Sequence, residues 1–465
     1  MTNKVICFLL YYLIGLGIYS IDLDASLLYF TVIPIHYYFV KKSIYSKNVL
    51  LLSINIVFFI SFGLASVLLY INKTDESPVG YLAIGNFDFS LWYYFKVYSY
   101  TFIFCLILNA YVFWRGRKVK NRNDFLLPFV LSVIKQFTLN RGKDKTNLLI
   151  FFVLLFSIVS VWMFTMHIGM VGLNQTELPY HLTGILFYTR RIVFPIIILV
   201  LYLKSKNKKS LTLLLVLYSF VIGITATSKS IGLIVLIPIA IIHIAQKNIK
   251  WASFVFLSSF VLYYVVGTSR DAIFFFDGDI PYQELFGIVS NEVDFEISDI
   301  GQLLFNVTNS LCGRLMGIRS VILGYQYDGL SFIDCLSYYS MITPSVIPDL
   351  SLLFGVELPD DKSFGLNIGM MGIIQLLSCH NFLLTIFQAI IYGEIIYSQQ
   401  NFLNNIIKSK ANYYIKILSI SIVALTLFLM LDAQGIVNVY ICTLLLFIIK
   451  EYVAQVRCKH IVFNR

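Results

Sequence analysis

About twelve apolar runs, each long enough to cross a lipid bilayer, divide this sequence. A spanning helix needs about 20 apolar residues, because only a hydrogen-bonded helix satisfies its own backbone in the hydrocarbon core. Hydrophobic residues make up 58% of the chain and charged residues 13%, whereas soluble domains contain about 25% charged residues. This composition argues against a large soluble protein. The predicted spans are residues 4–21, 25–40, 48–72, 91–114, 147–166, 182–203, 211–227, 230–246, 251–267, 371–398, 413–431 and 435–452.

The intervals between the predicted spans alternate in charge along the whole chain. Clusters of lysine and arginine, such as residues 115–145 and 204–209, alternate with acidic intervals such as residues 75–88. Short loops rich in lysine and arginine stay in the cytoplasm, so the alternation predicts that both termini are cytoplasmic. The net charge of +10 lies in these loops, and no basic stripe is present that would bind nucleic acid.

One interval differs from all the others in length and charge. Residues 268–370 contain 14 of the 25 acidic residues and four basic residues, and the charge rule places them outside the cytoplasm. The sequence therefore predicts an all-α polytopic integral membrane protein in three parts. Residues 1–267 form spans one to nine, 268–370 form a large acidic extracytoplasmic (periplasmic) loop, and 371–465 form spans ten to twelve and a cytoplasmic C-terminus. Apolar residues at spacings of three and four predict an amphipathic helix near 300–323.

Motifs for nucleotide or metal chemistry are missing from the sequence. No glycine-rich phosphate loop or dinucleotide fingerprint occurs at strand-to-helix spacing, and no Cys/His cluster has metal-ligand spacing. These absences argue against an ATP-driven pump and against a glycosyltransferase that uses sugar nucleotides in a cytoplasmic domain. We expect the protein to need neither a metal nor a cofactor.

Two adjacent arginines, Arg190 and Arg191, lie in the outer half of the sixth predicted span. A cation at bilayer depth costs roughly 2.5–3.5 kcal/mol on insertion scales, so each one calls for a partner or a function. One interpretation is that both side chains extend to the outer headgroups. A positive pair on the outer side opposes the charge rule, however, which favours an anionic ligand.

Further cations lie beside the outer ends of predicted spans. Lys229 belongs to Thr225-Ala-Thr-Ser-Lys-Ser230, a turn whose small residues leave backbone N–H groups open to a phosphate; the alternative is an ordinary tight turn. Arg270 precedes Asp271 where the ninth span enters the acidic loop. Arg314 and Arg319 lie on the amphipathic stretch. Their guanidinium groups are suited to bidentate binding of diphosphate, although that side of the helix could also be a plain polar surface.

In architecture, the chain resembles the bacterial O-antigen polymerases (the Wzy-type oligosaccharide repeat-unit polymerases) and, more distantly, the O-antigen ligases. Its span number and its large late outer loop carry the resemblance, together with the Arg190-Arg191 pair, the turn at Lys229, Arg270 and Gly313-Arg314. Lys229 stands where relatives often carry arginine. The resemblance implies the all-helical, GT-C-like fold of these polymerases and ligases.

The resemblance also implies a metal-independent glycosyl transfer on the outer face of the bacterial plasma (inner) membrane, in O-antigen or capsule biosynthesis. A growing glycan leaves undecaprenyl diphosphate and joins a fresh lipid-linked repeat unit. The implied partners are undecaprenyl-diphosphate-linked oligosaccharide, the bilayer and a chain-length regulator protein.

The residues fit this chemistry in two roles. Fixed cations would bind the diphosphate as its charge develops; the candidates are Arg190, Arg191, Lys229, Arg270, Arg314 and Arg319. The attacking sugar hydroxyl needs a general base, for which the candidates are Asp271, His380 and His181. A lone histidine such as His380 is more often a hydrogen-bonded helix residue than a catalyst.

Two other functions remain open. A flippase for lipid-linked oligosaccharide would share the spans and the buried cations, but transporters usually have two similar halves, and here only the second half has a large outer loop. A ligase-like glycosyltransferase that acts on lipid-linked sugars is the second alternative.

Overall fold

The computed structural model describes most of the apolar runs and parts of the intervals between them. The described residues are 2–46, 48–71, 90–117, 144–168, 178–179, 182–246, 248–275, 318–326, 330–340, 369–409, 415–416, 418–420, 422–423, 426 and 435–463. They form helices and turns, with no strand in any of these ranges. This confirms the predicted all-α class for the described part of the chain.

The α-helices are numbered in chain order. They are α1 (Thr2–Tyr19), α2 (Leu23–Ser46), α3 (Val49–Phe58), α4 (Ala65–Ile71), α5 (Leu91–Arg117), α6 (Thr146–Thr165), α7 (Leu182–Tyr188), α8 (Phe194–Lys204), α9 (Lys208–Thr225), α10 (Lys229–Ala245), α11 (Ile249–Phe275), α12 (Ile318–Gln326), α13 (Phe332–Ser340), α14 (Gly369–Ser378), α15 (Phe382–Lys408) and α16 (Gly435–Phe463). Two π-helical segments, Phe59–Leu64 and Thr189–Val193, join α3 to α4 and α7 to α8.

Eight segments of the described chain are long and apolar enough to cross a membrane. They are Leu23–Ile44, Leu50–Ile71, Leu91–Gly116, Thr146–Thr165, Leu182–Lys204, Lys208–Thr225, Ile249–Gly267 and Phe382–Lys408. The first and eighth predicted spans coincide with the shorter apolar helices Phe8–Tyr19 and Ile231–Ala240, and the twelfth lies within α16. Most of the eleventh predicted span and most of the predicted amphipathic helix lie outside the described residues.

The tenth predicted span, 371–398, differs from the structure. The apolar run is broken at residues 379–381, so that α14 ends at Ser378 and α15 starts at Phe382. The Asn381 side chain caps α15 by accepting a hydrogen bond from the Leu383 amide at 2.8 Å. Asparagine is among the best N-cap residues because its side chain satisfies an amide that the first helical turn leaves unpaired.

The described helices pack around two separate hydrophobic cores. Helices α1–α5 and α12–α16 surround one core, and we call this set the first bundle. Helices α6–α11 form the second bundle, whose core is built from α6, α8, α9, α10 and α11. The extensive contacts between described helices stay within each bundle.

Helices α5 and α15 pack closely in the first bundle because Gly393 has no side chain. A Cβ atom at Gly393 would lie 2.8 Å from the Tyr111 ring. One turn further along α5, Arg115 forms a bidentate pair with Glu394, with Nε–Oε2 and Nη2–Oε1 distances of 2.9 and 2.7 Å. The Tyr111 hydroxyl donates to the same carboxylate at 2.6 Å. This pair fixes the register of the two helices at that level.

Several buried polar side chains inside the first bundle are paired with one another, whereas the Thr101 hydroxyl has no hydrogen-bond partner among the described atoms. Asn55 on α3 and Asn109 on α5, both almost fully buried, exchange two amide hydrogen bonds of 2.8 and 3.2 Å. The Tyr98 hydroxyl lies 2.8 Å from His36 Nε2. Buried polar groups need such partners, because an unpaired one costs much of its lost hydration.

In the second bundle, three helices meet in a buried network at the end where α8 turns into α9. The Tyr202 hydroxyl lies 2.8 Å from Thr212 Oγ1, and His243 Nε2 lies 2.9 Å from Thr212 Oγ1 and 3.0 Å from the Tyr202 hydroxyl. These bonds join α8, α9 and α10 at what we call the Ser205 end. The candidate cations of this bundle lie at the opposite end.

Candidate functional site

Arg190 and Arg191 lie in the π-helical segment Thr189–Val193, between α7 and α8. Pro195 is in the first turn of α8, and a proline in a continuous helix cannot donate to the carbonyl four residues earlier. The wider π turn before the proline accommodates this missing bond. Such π turns are frequent at functional sites. The two arginines therefore lie at an irregular point of the span, just before the proline.

Arg190 is completely buried. Its Nη1 atom lies 3.4 Å from the carbonyl oxygen of Thr225, the last residue of α9. Backbone carbonyls at the C-terminus of a helix carry a partial negative charge, which favours a nearby cation. The contact therefore fixes the guanidinium of Arg190 at the end of α9, directly beside the turn that leads to Lys229.

The turn after α9 is held by two backbone bonds. The Ser228 amide donates to the Gly223 carbonyl at 3.0 Å, and the Thr227 amide donates to the Ile224 carbonyl at 2.9 Å. This is the Schellman pattern, which requires one left-handed residue and usually has glycine there. Here the residue is Thr227, with φ of 50°. A β-branched residue in this conformation is strained, and such strain is found where function fixes the backbone.

Helix α10 begins at Lys229, and α11 passes beside the same turn. A Cβ atom at Gly223 would lie 2.9 Å from Val266 of α11, so the two helices are in close contact at this level. Arg270 follows Val266 by one helical turn, on the same face of α11, and Asp271 is the next residue. Arg190, the Lys229 turn and the backbone of Arg270 and Asp271 therefore lie at one end of the second bundle, which we call the Thr225 end.

Tyr218 is a residue at this site that the sequence did not single out. Its side chain is 2% exposed, and its hydroxyl has no hydrogen-bond partner among the described atoms. The Arg190 guanidinium lies within electrostatic range of this hydroxyl. Tyr218 precedes Thr225 by seven residues, so the two share a face of α9. That spacing is the only sequence signal, and the 31 tyrosines of the chain conceal it.

His380 lies in the break between α14 and α15. Cys379 and His380 both have positive φ, 47° and 52°, and the Asn381 amide donates to the Ser378 carbonyl at 2.7 Å. This is the pattern of a type I′ turn, which usually contains glycine or asparagine. His380 is therefore a turn residue, and its position at the end of a spanning helix is held by a strained backbone.

Two hydrogen bonds fix His380 within the first bundle. Its Nε2 atom lies 2.6 Å from the carbonyl oxygen of Tyr325 on α12, and its own carbonyl accepts from the Tyr100 hydroxyl on α5 at 2.8 Å. A carbonyl only accepts, so Nε2 carries the proton and Nδ1 is the basic nitrogen of the neutral ring. His380 thus joins α12 to α5, and no described contact brings it to Arg190.

Several predicted site residues are described only in part. His181 and Arg314 lie outside the described residues. Lys229, Arg270, Asp271 and Arg319 have a described helical backbone without a described side chain, and Arg319 lies in α12, the helix that His380 contacts. Of the predicted diphosphate ligands, those in the second bundle are Arg190, Arg191, Lys229 and Arg270.

No family model matches the chain, and no curated protein or solved structure matches it either. The resemblance to O-antigen polymerases therefore stays a prediction from the sequence.

Proposed function

We propose that the protein polymerises undecaprenyl-diphosphate-linked oligosaccharide repeat units at the outer face of the bacterial plasma membrane. The observation that carries this proposal is the fully buried Arg190 guanidinium beside the strained turn that leads to Lys229. A cation at bilayer depth usually marks a functional site, and a diphosphate would give this one a function. The Thr225 end of the second bundle is thus the best-supported diphosphate site.

The reaction exchanges one bond at an anomeric carbon. A hydroxyl of the fresh repeat unit attacks the anomeric carbon of the growing glycan, and the carbon–oxygen bond to undecaprenyl diphosphate breaks. The hydroxyl proton passes to a general base, and the leaving diphosphate keeps the bonding electron pair. Arg190, with Arg191, Lys229 and Arg270 from the same bundle end, would stabilise the charge that develops on the diphosphate.

Among the three candidate bases, Asp271 is the one whose described backbone belongs to the bundle that contains Arg190. We therefore propose Asp271 as the base. His380 is bonded through Nε2 to Tyr325 and through its carbonyl to Tyr100, and we propose that it holds α12 in place. Arg319 on α12 and Arg314 in the outer loop are proposed to reach the diphosphate from the loop side.

The test has an in vivo and an in vitro part. A deletion strain should export single repeat units to surface glycolipid but show no ladder on gel electrophoresis. Purified protein should lengthen synthetic undecaprenyl-diphosphate-linked units without nucleotide or metal. Loss of the single-unit band, or absence of chain growth in vitro, would reject the polymerase.

The separation of the two cores favours one other function, a flippase for the same lipid-linked units. Two bundles that each bury their own core, with extensive described contacts only inside each bundle, could move against each other as transporters do. The deletion strain distinguishes the two functions, because loss of a flippase strands the units on the cytoplasmic side and removes even the single-unit band.

The proposed orientation is tested by itself. Reporter fusions at Lys206, on the Ser205 end, and at Gly329, in the acidic loop, should report opposite sides of the membrane. If both report the same side, the proposed outer location of the site is wrong.

A further inference from the structure

Helix α13 runs beside the candidate span α15 in the same direction. At its start, the Leu330 carbonyl accepts a hydrogen bond from Cys379 Sγ at 2.9 Å, just before α15 begins. Near its end, the Tyr339 hydroxyl donates to Gln388 Oε1 at 2.7 Å, and the Tyr339 and Tyr392 ring centroids are 6.1 Å apart. Helix α13 therefore follows α15 from its end towards its middle.

The depth of this contact can be read along α15. Tyr392 is ten residues after Phe382, so at 1.5 Å per residue it lies about 15 Å from the start of the helix. The hydrocarbon core of a bilayer is about 30 Å thick. The helix α15 is one of the eight that are long and apolar enough to cross a membrane, and a crossing α15 would place Tyr339 near the level of the bilayer centre. The sequence predicts this segment as part of the large extracytoplasmic loop, 268–370.

Helix α14 runs the opposite way along α15. The Gln388 Nε2 atom donates to the carbonyl of Ile374, in the middle of α14, at 3.2 Å, and α14 ends at Ser378 beside the start of α15. Its side chains from Met370 to Leu377 are buried. One short helix thus descends along α15 and a second returns to the same end.

The polarity of α13 changes along its length. Ser331 and Asp334 form a reciprocal cap at its start: the Ser331 amide and hydroxyl each donate to Asp334 Oδ2 at 2.7 Å, and Ser331 Oγ accepts from the Asp334 amide at 3.3 Å. After Asp334 the helix has no charged residue. At its far end, the Tyr440 hydroxyl donates to the Tyr339 carbonyl at 3.1 Å. The last carbonyls of a helix lack internal partners, and inside a bilayer a protein group must supply one.

The outward face of α13 is apolar. Phe332, Ile333 and Leu336 are 56%, 72% and 39% exposed, whereas the opposite face, including Tyr339, is buried. On α15, Leu383 is an exposed apolar residue in the same way, 74% exposed. Exposed apolar side chains on a spanning helix contact lipid chains, and the exposed side chains of α13 are of the same apolar kind.

We propose that α13 and α14 are re-entrant helices, which both lie within the bilayer beside the Phe382 half of α15, with Phe332, Ile333 and Leu336 in contact with lipid acyl chains. This placement of α13 and α14 does not depend on the proposed enzymatic function or on which side of the membrane the Phe382 end of α15 faces.

The test measures depth in the full-length protein, reconstituted in liposomes. Nitroxide labels are attached to single cysteines at Ile333 and Leu336, in a variant whose seven native cysteines are replaced. Labels at Leu383 and Ile390, two positions along α15, calibrate depth, and Gln326, which is exposed, represents water. We expect the Leu336 label to meet lipid-soluble oxygen more often than a water-soluble nickel chelate, at a depth between those of Leu383 and Ile390.

Two results would overturn the proposal. Equal access of the nickel chelate to Leu336 and Gln326 labels would place α13 in water. An immobilised Leu336 label that meets neither reagent would mean that protein, such as a second copy of the chain, covers this face. The variant Phe332→Trp keeps the native cysteines and gives an independent measurement, since brominated acyl chains should quench its added fluorescence. No activity is measured, so these results stand apart from the polymerase proposal.

Discussion

Arg190 Nη1 lies 3.4 Å from the Thr225 carbonyl oxygen, so a buried guanidinium contacts the C-terminus of α9, where a strained turn begins. We expect Arg190→Ala to reduce chain growth by about 100-fold, as removal of one fixed transition-state donor does in other enzymes. Arg190→Lys should lose nearly as much, because lysine lacks the planar fork that binds two oxygens. Polymer length on gels, at matched protein abundance, is the measurement.

The control for Arg190 is Lys250→Ala, which removes an exposed cation near the start of α11. It should leave polymer length unchanged. If Arg190→Ala made long polymer at the normal level, Arg190 would not belong to the site.

Thr227→Gly should stabilise the protein. The left-handed conformation costs an L-residue roughly 1–2 kcal/mol, whereas glycine adopts it freely, so we expect a gain of about 1 kcal/mol. Ala226→Gly is the matched control, because Ala226 has an ordinary φ of −92° and glycine there only adds freedom to the unfolded chain. Thermal unfolding in detergent should show a higher midpoint for Thr227→Gly and a lower one for Ala226→Gly. A lower unfolding midpoint for both variants would show that the backbone of Thr227 is not strained.

His380→Asn should separate a structural role from a catalytic one. Asparagine tolerates positive φ but cannot reach the Tyr325 carbonyl in the same way, and loss of that bond should cost about 1 kcal/mol. We expect lower thermal stability with the pH profile of chain growth unchanged. Asp271→Asn should instead abolish chain growth at every pH. A changed pH profile in His380→Asn would return the role of base to His380.

The Asp144 carboxylate should make the Ser205 end sensitive to acid. The Thr146 hydroxyl, which donates to Oδ1 at 2.8 Å, is the main cause that lowers the pKa of Asp144, and the amides of Thr146 and Lys206 add to it. A carboxyl whose pKa is lower in the folded state stabilises the fold above its ordinary pKa. That contribution is lost as the pH falls through the lowered pKa.

Hydrogen exchange of the Lys206 amide, which donates to Asp144 at 3.2 Å, measures this loss. Its protection should fall as the pH decreases below the ordinary range of an aspartate. In Asp144→Asn the protection should be low and independent of pH in the same range. If the protection of the Lys206 amide had the same pH dependence in both proteins, Asp144 would not be the cause of the acid sensitivity.

Gly324→Ala should destabilise the contact between α12 and α14. A Cβ atom at Gly324 would lie 2.5 Å from the Gly372 carbonyl oxygen, which is backbone and cannot move aside easily. Overpacking of this kind typically costs about 1–3 kcal/mol. Gly116→Ala in α5 is the control, since its Cβ would meet no atom within 4 Å, and it should leave the unfolding midpoint unchanged or raise it.

The sequence predicted the membrane spans well where hydropathy alone determines the ends of the helix. The sixth predicted span, 182–203, matches Leu182–Lys204 almost residue for residue. The break at residues 379–381 was missed because Cys379 and His380 adopt positive φ without the glycine that normally marks such a turn. The turn that contains Thr227 was predicted, but its left-handed conformation was not, because no glycine marks it. Backbone conformations that tertiary contacts impose on ordinary residues leave no local signal.

Of the candidate site, only the cationic residues could be predicted from the sequence. An arginine in an apolar run is conspicuous, so Arg190 was found from its cost in the membrane. Tyr218 was not, because a tyrosine in an apolar run is unremarkable until its hydroxyl is found buried without a partner among the described atoms, within electrostatic range of a guanidinium. The π turn at Thr189–Val193 had one sequence signal, Pro195, which marks an interrupted helix.

The amide pair between Asn55 and Asn109 has a consequence for how the chain enters the membrane. The two residues are 54 positions apart, so α3 is synthesised well before α5. Until α5 arrives, the Asn55 side-chain nitrogen donates to the Ser43 hydroxyl on α2, but its oxygen lacks the Asn109 donor. An unpaired amide oxygen in hydrocarbon is unfavourable. We therefore expect α2–α4 to stay beside the insertion machinery during translation and to leave it together with α5, as one preassembled group of helices.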